Sequence, residues 1–300
     1  MNDEQPSEKA ISEALRALCD GELPQEIALM RLVLATESDA ELDRHIEDAA
    51  LREPSMEERI RTIGVLARQY AHAWPMVRAA ASAVQHRAST CAETNEILGK
   101  LAADFDKAAG LSPEASVALY SFGDANRLNA ATAELVGWMR DAGLLHAEYR
   151  ILDIGCGIGR LECALSGKCR EIVGIDISRS MVDIARRRCS GLAGVDIRLV
   201  TGLGLQEFED ASFDLVMAVD TMPYIVSAGA KLAGRHFADA ARILRPAGNL
   251  LVFNYSYRGN PEADRSDVRR HAETYRLEIV AEGSQPFRRW DGAVFHLRKN

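Results

Sequence analysis

"ILDIGCGIGR", residues 151–160, sets glycines at 155, 157 and 159, directly behind an apolar run that carries Asp153. A strand kept only for packing would hold valine or leucine there, whereas glycine permits unusual backbone angles and lets a ligand lie against the main chain. Around this stretch, short apolar runs alternate with helical patterns: RILDI, RLECAL, EIVGID, RSMVDIARRRC, VDIRLV, SFDLVMAV, HFADAARIL and GNLLVFNY. Strands that are apolar nearly throughout are buried on both faces, and their alternation with helices means a parallel sheet with right-handed crossovers. The tail, YRLEIVAEGSQPFRRWDGAVFHLRK, reads instead as two strands joined by a turn-rich connection, an antiparallel pair at one edge. Ligands of such sheets sit beyond the carboxyl ends of the strands, where the strand order reverses, so the glycine turn is the lip of the expected site.

The dinucleotide fingerprint G-x-G-x-x-G requires a third glycine at 160, where this chain has Arg160. Asp153, two places before the first glycine, suits an ammonium group and not a pyrophosphate. Asp176 closes the second strand in "GIDIS", 21 residues after Gly155, where a carboxylate accepts both hydroxyls of an unphosphorylated ribose. An amino-acid end, a ribose and no phosphate describe S-adenosylmethionine.

These motifs, in this order, resemble the class I S-adenosylmethionine-dependent methyltransferases of the small-molecule type. "ILDIGCGIG" is similar to the family's first motif, "VGIDISRSMVDIAR" to its second, and "TGLGLQEFEDASFDLV" to its third-to-fourth strand region. "ARILRPAGNLLVF", with Pro246 and Gly248, matches the turn before the fifth strand. The resemblance spans roughly residues 103–300. It implies an α/β fold: a Rossmann-like, doubly wound, seven-stranded sheet, mostly parallel with one antiparallel edge strand, preceded by an all-α domain. It also implies S-adenosyl-L-methionine as cofactor and S-adenosyl-L-homocysteine as product.

By that resemblance the cofactor is held by Asp153, Gly155, Cys156, Gly157, Gly159, Asp176, Ile177, Met181, Gly202, Leu203, Gly204 and Leu205. Tyr120 lies in the upstream segment that in similar enzymes closes over the methionine end. The family often has Asp or Asn after the glycine at 202; Leu203 stands here, so the adenine contact is expected to be backbone-based. Cys156 is expected to contribute backbone and packing, since transfer from a sulfonium needs no protein nucleophile. Met181 is as readily a core residue as an adenine contact, and Tyr120 as readily scaffolding.

"AVDTMPYI", 218–225, follows the fourth strand and ends beside the methyl group. Asp220 and Tyr224 are the expected catalytic pair, and Met222, Tyr224, Tyr255, Tyr257 and Arg258 the expected acceptor-binding set. Arg258 has a rival reading as a solvated loop arginine. Thr221 and Met222 break the (Asn/Asp)-Pro-Pro-Tyr tetrad of amino-group methyltransferases acting on nucleobases and glutamine. The expected activity is N- or O-methylation of a small molecule by in-line transfer. Two rivals remain: modification of a protein or carrier-bound substrate docked by the helical part, and a non-catalytic cofactor-binding regulator.

The first hundred residues read as helices only, and a domain boundary near 88–103 gives an all-helical part at 1–100 and a cofactor-binding part at 101–300. Capping boxes stand at Ser38 with Glu41 and at Ser55 with Glu58; Pro54 breaks a helix, Pro75 kinks or divides one, and Ser112–Pro113 starts another. This helical part is expected to capture substrate, dock a partner or form a homodimer. Residues 1–100 carry 11 Lys+Arg against 18 Asp+Glu, and the remainder 25 against 26, so neither part has the basic face that a nucleic-acid substrate requires. Cys19, Cys91, Cys156, Cys163, Cys169 and Cys189 form no CxxC pair, which argues for reduced thiols in a cytoplasmic protein without a metal site. No secretory leader or bilayer-length apolar run is read in the sequence, so no membrane is expected as partner.

Overall fold

The computed structural model describes residues 6–52, 57–84 and 93–300. Their contacts form two compact units, one of Met1–Ala83, Ala108–Ala131 and Phe287–Asp291, the other of Val84–Lys107, Thr132–Pro286 and Gly292–Asn300. In place of the single boundary expected between 100 and 101, the chain crosses between the units several times, because two helices divide between them. In α6 (Thr94–Leu111) and α8 (Ala125–Asp141) the chain passes from one unit to the other. Leu98 and Leu101 of α6 join the core around the sheet, whereas Phe122, between these helices, joins the helical core.

The first unit holds α1 (Pro6–Cys19), α2 (Gln25–Ala35), α3 (Asp39–Arg52), α4 (Glu57–Gln69), α5 (Trp74–Ala83) and α7 (Pro113–Val117). Leu29, Leu32, Trp74 and Phe122 lie at its centre, with the Phe122 ring edge-on to Trp74 at 5.1 Å. At the start of α3 the Glu41 amide donates to Ser38 Oγ (3.2 Å) while the Glu41 carboxylate accepts from the Glu37 amide (2.7 Å). Ser112 caps α7 by accepting from the Ala115 amide (3.2 Å), with Pro113 in the first turn. Pro75 stands in the first turn of α5, so it marks a helix start and not an interior kink. Pro54, Ser55 and Cys91 lie outside the described residues.

The second unit is built on a seven-stranded sheet in the order β3-β2-β1-β4-β5-β7-β6. Its strands are β1 (Arg150–Ile154), β2 (Glu171–Asp176), β3 (Val195–Leu199), β4 (Phe213–Val219), β5 (Leu244–Phe253), β6 (Leu277–Ser284) and β7 (Val294–Lys299). Helices α9 (Arg160–Leu165), α10 (Arg179–Arg188), α11 (Met222–Ser227), α12 (Ala230–Ile243) and α13 (Pro261–Tyr275) connect them. β1 to β5 are parallel, and β7 runs antiparallel to both β5 and β6. The antiparallel strand therefore sits one place in from the edge, not at it. The crossover through α13 lands β6 parallel to β5 but one strand further out, and β7 turns back into the gap. The chain winds from β1 to β3 in one direction and from β4 in the other, so strand order reverses between β1 and β4.

Candidate cofactor and acceptor site

The carboxyl end of β1 is tied to β2 before any side chain acts: the amides of Gly155 and Cys156 both donate to the Ile175 carbonyl (2.7 and 3.0 Å). Gly155, Gly157 and Gly159 all have positive φ, at 76°, 53° and 77°. A Cβ on Gly155 would fall onto the Thr221 side chain, and one on Gly159 would stand 2.9 Å from Ala185 Cβ on α10. Asp176 closes the turn from the neighbouring strand. Its Oδ2 accepts from the Gly157 amide (2.9 Å) and its Oδ1 from the Ser178 amide (2.8 Å). Burial raises the Asp176 pKa, against the lowering pull of those hydrogen bonds.

Behind the turn, Asp153 is 1% exposed and Glu162 is wholly buried. Burial and the neighbouring Asp176 charge raise the Asp153 pKa to about 7, against the pull of Glu162 and Arg160. Burial and the Asp153 charge hold the Glu162 proton well above the ordinary carboxyl range. Cys156 is buried beside these acids, so its thiol pKa is also raised and the side chain is no nucleophile.

Asp106, on α6, fixes the start of α10. Its Oδ1 accepts from Ser178 Oγ (2.6 Å) and the Ser180 amide (2.8 Å), while Ser178 Oγ accepts from the Met181 amide (3.2 Å). Burial works to raise the Asp106 pKa, but these hydrogen bonds and Arg179 outweigh it and the pKa is lowered. Ile177 packs where a Cβ on Gly202 would come within 2.7 Å of its Cγ2. The stretch after Gly202 is anchored to α12: Arg235 donates to the Leu203 carbonyl (3.0 Å), and the Leu205 amide donates to Asp239 (2.8 Å). Gly204 is needed because a Cβ there would meet Asp239 Oδ2 at 2.7 Å. Leu205 and Met181 are core side chains, whereas Ile177 and Leu203 are only partly buried. Tyr120 belongs to the first unit, buried in a 3-10 turn at Leu119–Ser121.

At the ends of β4 and β5, Asp220 and Asn254 both adopt left-handed backbone, with φ of 56° and 59°. Non-glycine residues hold such angles only where their surroundings over-determine them, a condition that clusters at functional sites. Asp220 Oδ1 accepts from Asn254 Nδ2 and from the Tyr257 hydroxyl, both at 2.7 Å. Asn254 is itself pinned, its amide donating to the Ala293 carbonyl and its Oδ1 accepting from the Ala293 amide, each at 2.8 Å. The Tyr224 ring lies edge-on to Phe105 of α6 (4.9 Å) and to Tyr257 (6.0 Å). Burial, then the Asp220 charge, pushes the Tyr224 pKa far up, so its hydroxyl keeps its proton.

Two residues expected to face the acceptor are committed elsewhere. Arg258 donates to Asp264 (2.7 Å) and pairs with Asp267 (2.8 Å), which neutralises its charge. Tyr255 is 3% exposed, packed against Phe237 and Phe295, with its hydroxyl hydrogen-bonded to His271 Nε2 (3.2 Å). Met222 is buried in the core around the sheet. Glu162, Phe105, Asp106 and Asn254 went unread in the sequence. Glu162 left a signal, an acid in an otherwise apolar helix face, opposite an isolated glycine in the apolar strand EIVGID. The described residues include no His/Cys/Asp/Glu cluster able to hold a metal, and no helix long and apolar enough to cross a membrane.

Residues 151–248 match the family model described as a methyltransferase domain. The demethylmenaquinone methyltransferase of Tropheryma whipplei is 34% identical over 111 residues, covering 37% of this chain and 44% of that protein. The ubiquinone biosynthesis O-methyltransferase of Pseudomonas aeruginosa is 29% identical over 158 residues, covering 52% of this chain and 63% of that protein. The chain thus spans about half the length of these curated relatives. The crystal structure of magnesium protoporphyrin IX methyltransferase from Synechocystis, with bound S-adenosylmethionine, superposes with a TM-score of 0.52 at 15% identity, over 71% of this chain and all of that one; at that identity the likeness is one of fold. The matched methyltransferase domain lies on the strands that carry the glycine turn and Asp176, so residues 151–248 are similar in sequence to methyltransferase domains.

Proposed function

We propose that this chain methylates a small-molecule acceptor at oxygen or nitrogen, with S-adenosylmethionine as donor. The observation that carries the reading is the pairing of a three-glycine turn with two acids: Asp176 bonded to the turn's own amide, and Asp153 beneath it. This cradle fits the cofactor. Asp153 Oδ1 is a buried oxygen without a hydrogen-bond partner, suited to an ammonium, and the acids would repel a phosphate. Asp153, Asp176, Gly155, Gly157 and Gly159 would hold the amino-acid and ribose parts, and Ile177, Gly202 and Leu203 the adenine. When bound, the cofactor supplies a methyl carbon already activated by positive sulfur.

The chain's own work is then positioning and proton handling. Asn254 and Tyr257 orient the Asp220 carboxylate, which takes the proton of a hydroxyl or ammonium acceptor; such a base contributes about 10²–10⁴-fold. Tyr224 keeps its proton and acts as a hydrogen-bond donor and wall. The rings of Phe105, Tyr224 and Tyr257 fit a flat acceptor, and the small-molecule compounds in the names of the two curated relatives support one. Arg258 and Tyr255 have no part in this reading. The free thiols of Cys156, Cys163, Cys169 and Cys189 fit a cytoplasmic setting.

Calorimetric titration with S-adenosylmethionine, S-adenosylhomocysteine and NAD, repeated on Asp176→Ala, tests the reading. Loss of two hydrogen bonds to a charged group, each contributing about 1.5–3 kcal/mol, should weaken the first two ligands by more than tenfold. NAD binding as tight as theirs, or no binding of either sulfur ligand, overturns the reading.

A further inference from the structure

Asp153 and Gly174 are register partners on β1 and β2, so they share one face of the sheet. The place of a side chain at 174 is taken by α9: a Cβ there would stand 2.6 Å from Glu162 Oε1 and 2.8 Å from Cys156 Cβ. The glycine thus lets a wholly buried carboxyl lie beside a second one that is 1% exposed. Asp153 Oδ1 and both Glu162 oxygens have no hydrogen-bond partner. Two ionised carboxylates, acceptors only, have no stable arrangement side by side in a dry interior, whereas a single proton between them satisfies both.

We propose that Glu162 is a positioning residue for the cofactor: its carboxyl keeps a proton, donates it as a hydrogen bond to Asp153, and so leaves one negative charge instead of two beneath the glycine turn where the ammonium binds. This rests on the cofactor reading above. The charged and titratable groups facing the pair are Arg160 and Cys163 on α9, Cys156 in the turn, Asp176 at the end of β2 and Cys189 just after α10. Arg160 is the single cation among them, and its guanidinium is bonded to Thr132 (3.1 Å). With burial holding Asp153 to about 7 and Glu162 well above its ordinary range, Asp153 is the member that titrates near neutrality. Cofactor binding below that pH therefore sends the Asp153 proton to solvent, and affinity rises as pH rises.

Two measurements on the full chain test this. Infrared spectra of the protein alone, at about pH 8.5 where Asp153 has given up its proton, should show the carbonyl stretch of a protonated buried carboxyl, absent in Glu162→Gln. Titration with S-adenosylhomocysteine should show affinity increasing about tenfold from about pH 6 to about pH 8, with proton release seen in buffers of different ionisation enthalpy. In Glu162→Gln the amide N–H still reaches Asp153, and burial with the Asp176 charge still raises the Asp153 pKa, so affinity and its pH dependence should stay within about twofold of the wild type. Glu162→Leu, which removes the donor, should bind about tenfold more weakly than the wild type. A missing carboxyl band in the wild type, a band undiminished in Glu162→Gln, or a Glu162→Leu protein that binds as tightly as the wild type overturns the proposal and leaves the cofactor reading standing. Failure of the wild type to bind at all, with the band present, overturns the cofactor reading and with it the role assigned to Glu162.

Discussion

Replacing Gly174 by alanine isolates a purely steric demand, because this residue sits in the middle of β2 with ordinary extended backbone. The added methyl would stand 2.6 Å from Glu162 Oε1, 2.8 Å from Cys156 Cβ and 3.0 Å from Ile197 Cδ1, where carbon contacts settle at about 3.5–4.0 Å. Ile197 Cδ1 is the far end of a side chain and can give way. Cys156 Cβ is one bond from a backbone whose amide donates to Ile175, and the Glu162 carboxyl has β2 in front of it and its own helix behind. Overpacking of this kind costs about 1–3 kcal/mol, and alanine recovers about 0.5–1 kcal/mol by fitting a strand better than glycine. The net loss of about 1–2 kcal/mol should lower the melting temperature of the second unit by about 2–8 °C, read by far-ultraviolet circular dichroism and checked by urea midpoint. In a Glu162→Ala background, where the nearest obstructing atom is gone, the same substitution should cost about 1 kcal/mol less. A Gly174→Ala protein as stable as the wild type, or a cost unchanged by removing Glu162, would refute the placement of that carboxyl over the sheet.

Asp106→Ala removes the acceptor shared by Ser178 Oγ and the Ser180 amide, and loss of this cap should destabilise the protein by about 1 kcal/mol in urea; an unchanged midpoint would mean that Ser178 alone suffices to start α10. Acid stability should depend on His296, which is buried, donates from Nε2 to Asn249 (2.8 Å), and has its pKa lowered from 6.5 to about 4 by burial and then by Arg298. A lowered folded pKa means that the contribution is complete above about pH 6.5 and lost as pH falls through about 4, at most about 3 kcal/mol in all. The raised pKa of Asp153 acts with the opposite sign, its contribution being lost as pH rises from 3.8 through about 7. His296→Gln, which keeps a donor for Asn249, should therefore flatten the fall in stability between these pH values, and an unaltered acid profile would assign that fall to other groups.

The sheet was legible because the middles of β1 and β2 are almost wholly apolar, and strands buried on both faces offer no competing pattern; their observed ends coincide with RILDI and EIVGID. The division into units was not, since a helix such as α6 shows the same apolar spacing whichever core it feeds. Phe105 and Asp106 escaped for a related reason. Asp106 acts on Ser178, 72 residues away, and nothing local to either marks the meeting. Arg258 and Tyr255 were assigned to the acceptor from their position after β5, but chain position gives a direction of travel and not a side-chain environment. Asp264, Asp267 and His271, all from α13, claim them.

The glycine turn itself shows how a motif can be legible for a reason that the structure divides. Read alone, three glycines ask what ligand approaches so closely that side chains had to go. For Gly155 and Gly159 the protein supplies the answer: Thr221 from the segment after β4 occupies the space beside one, and Ala185 of α10 with Cys189 Sγ at its C-terminal end the space beside the other. Gly157 is different in kind, since its amide is the donor that Asp176 takes. The outer two glycines therefore bring β1, the β4 end and α10 close together, and this closeness puts the middle amide within reach of Asp176. A substitution at 155 or 159 would disturb the cofactor indirectly, by pushing Thr221 or α10 away and carrying Asp176 out of register. One at 157 would alter the surface the ligand meets. On this account the glycine spacing encodes the convergence of three elements first, and a binding surface as its consequence.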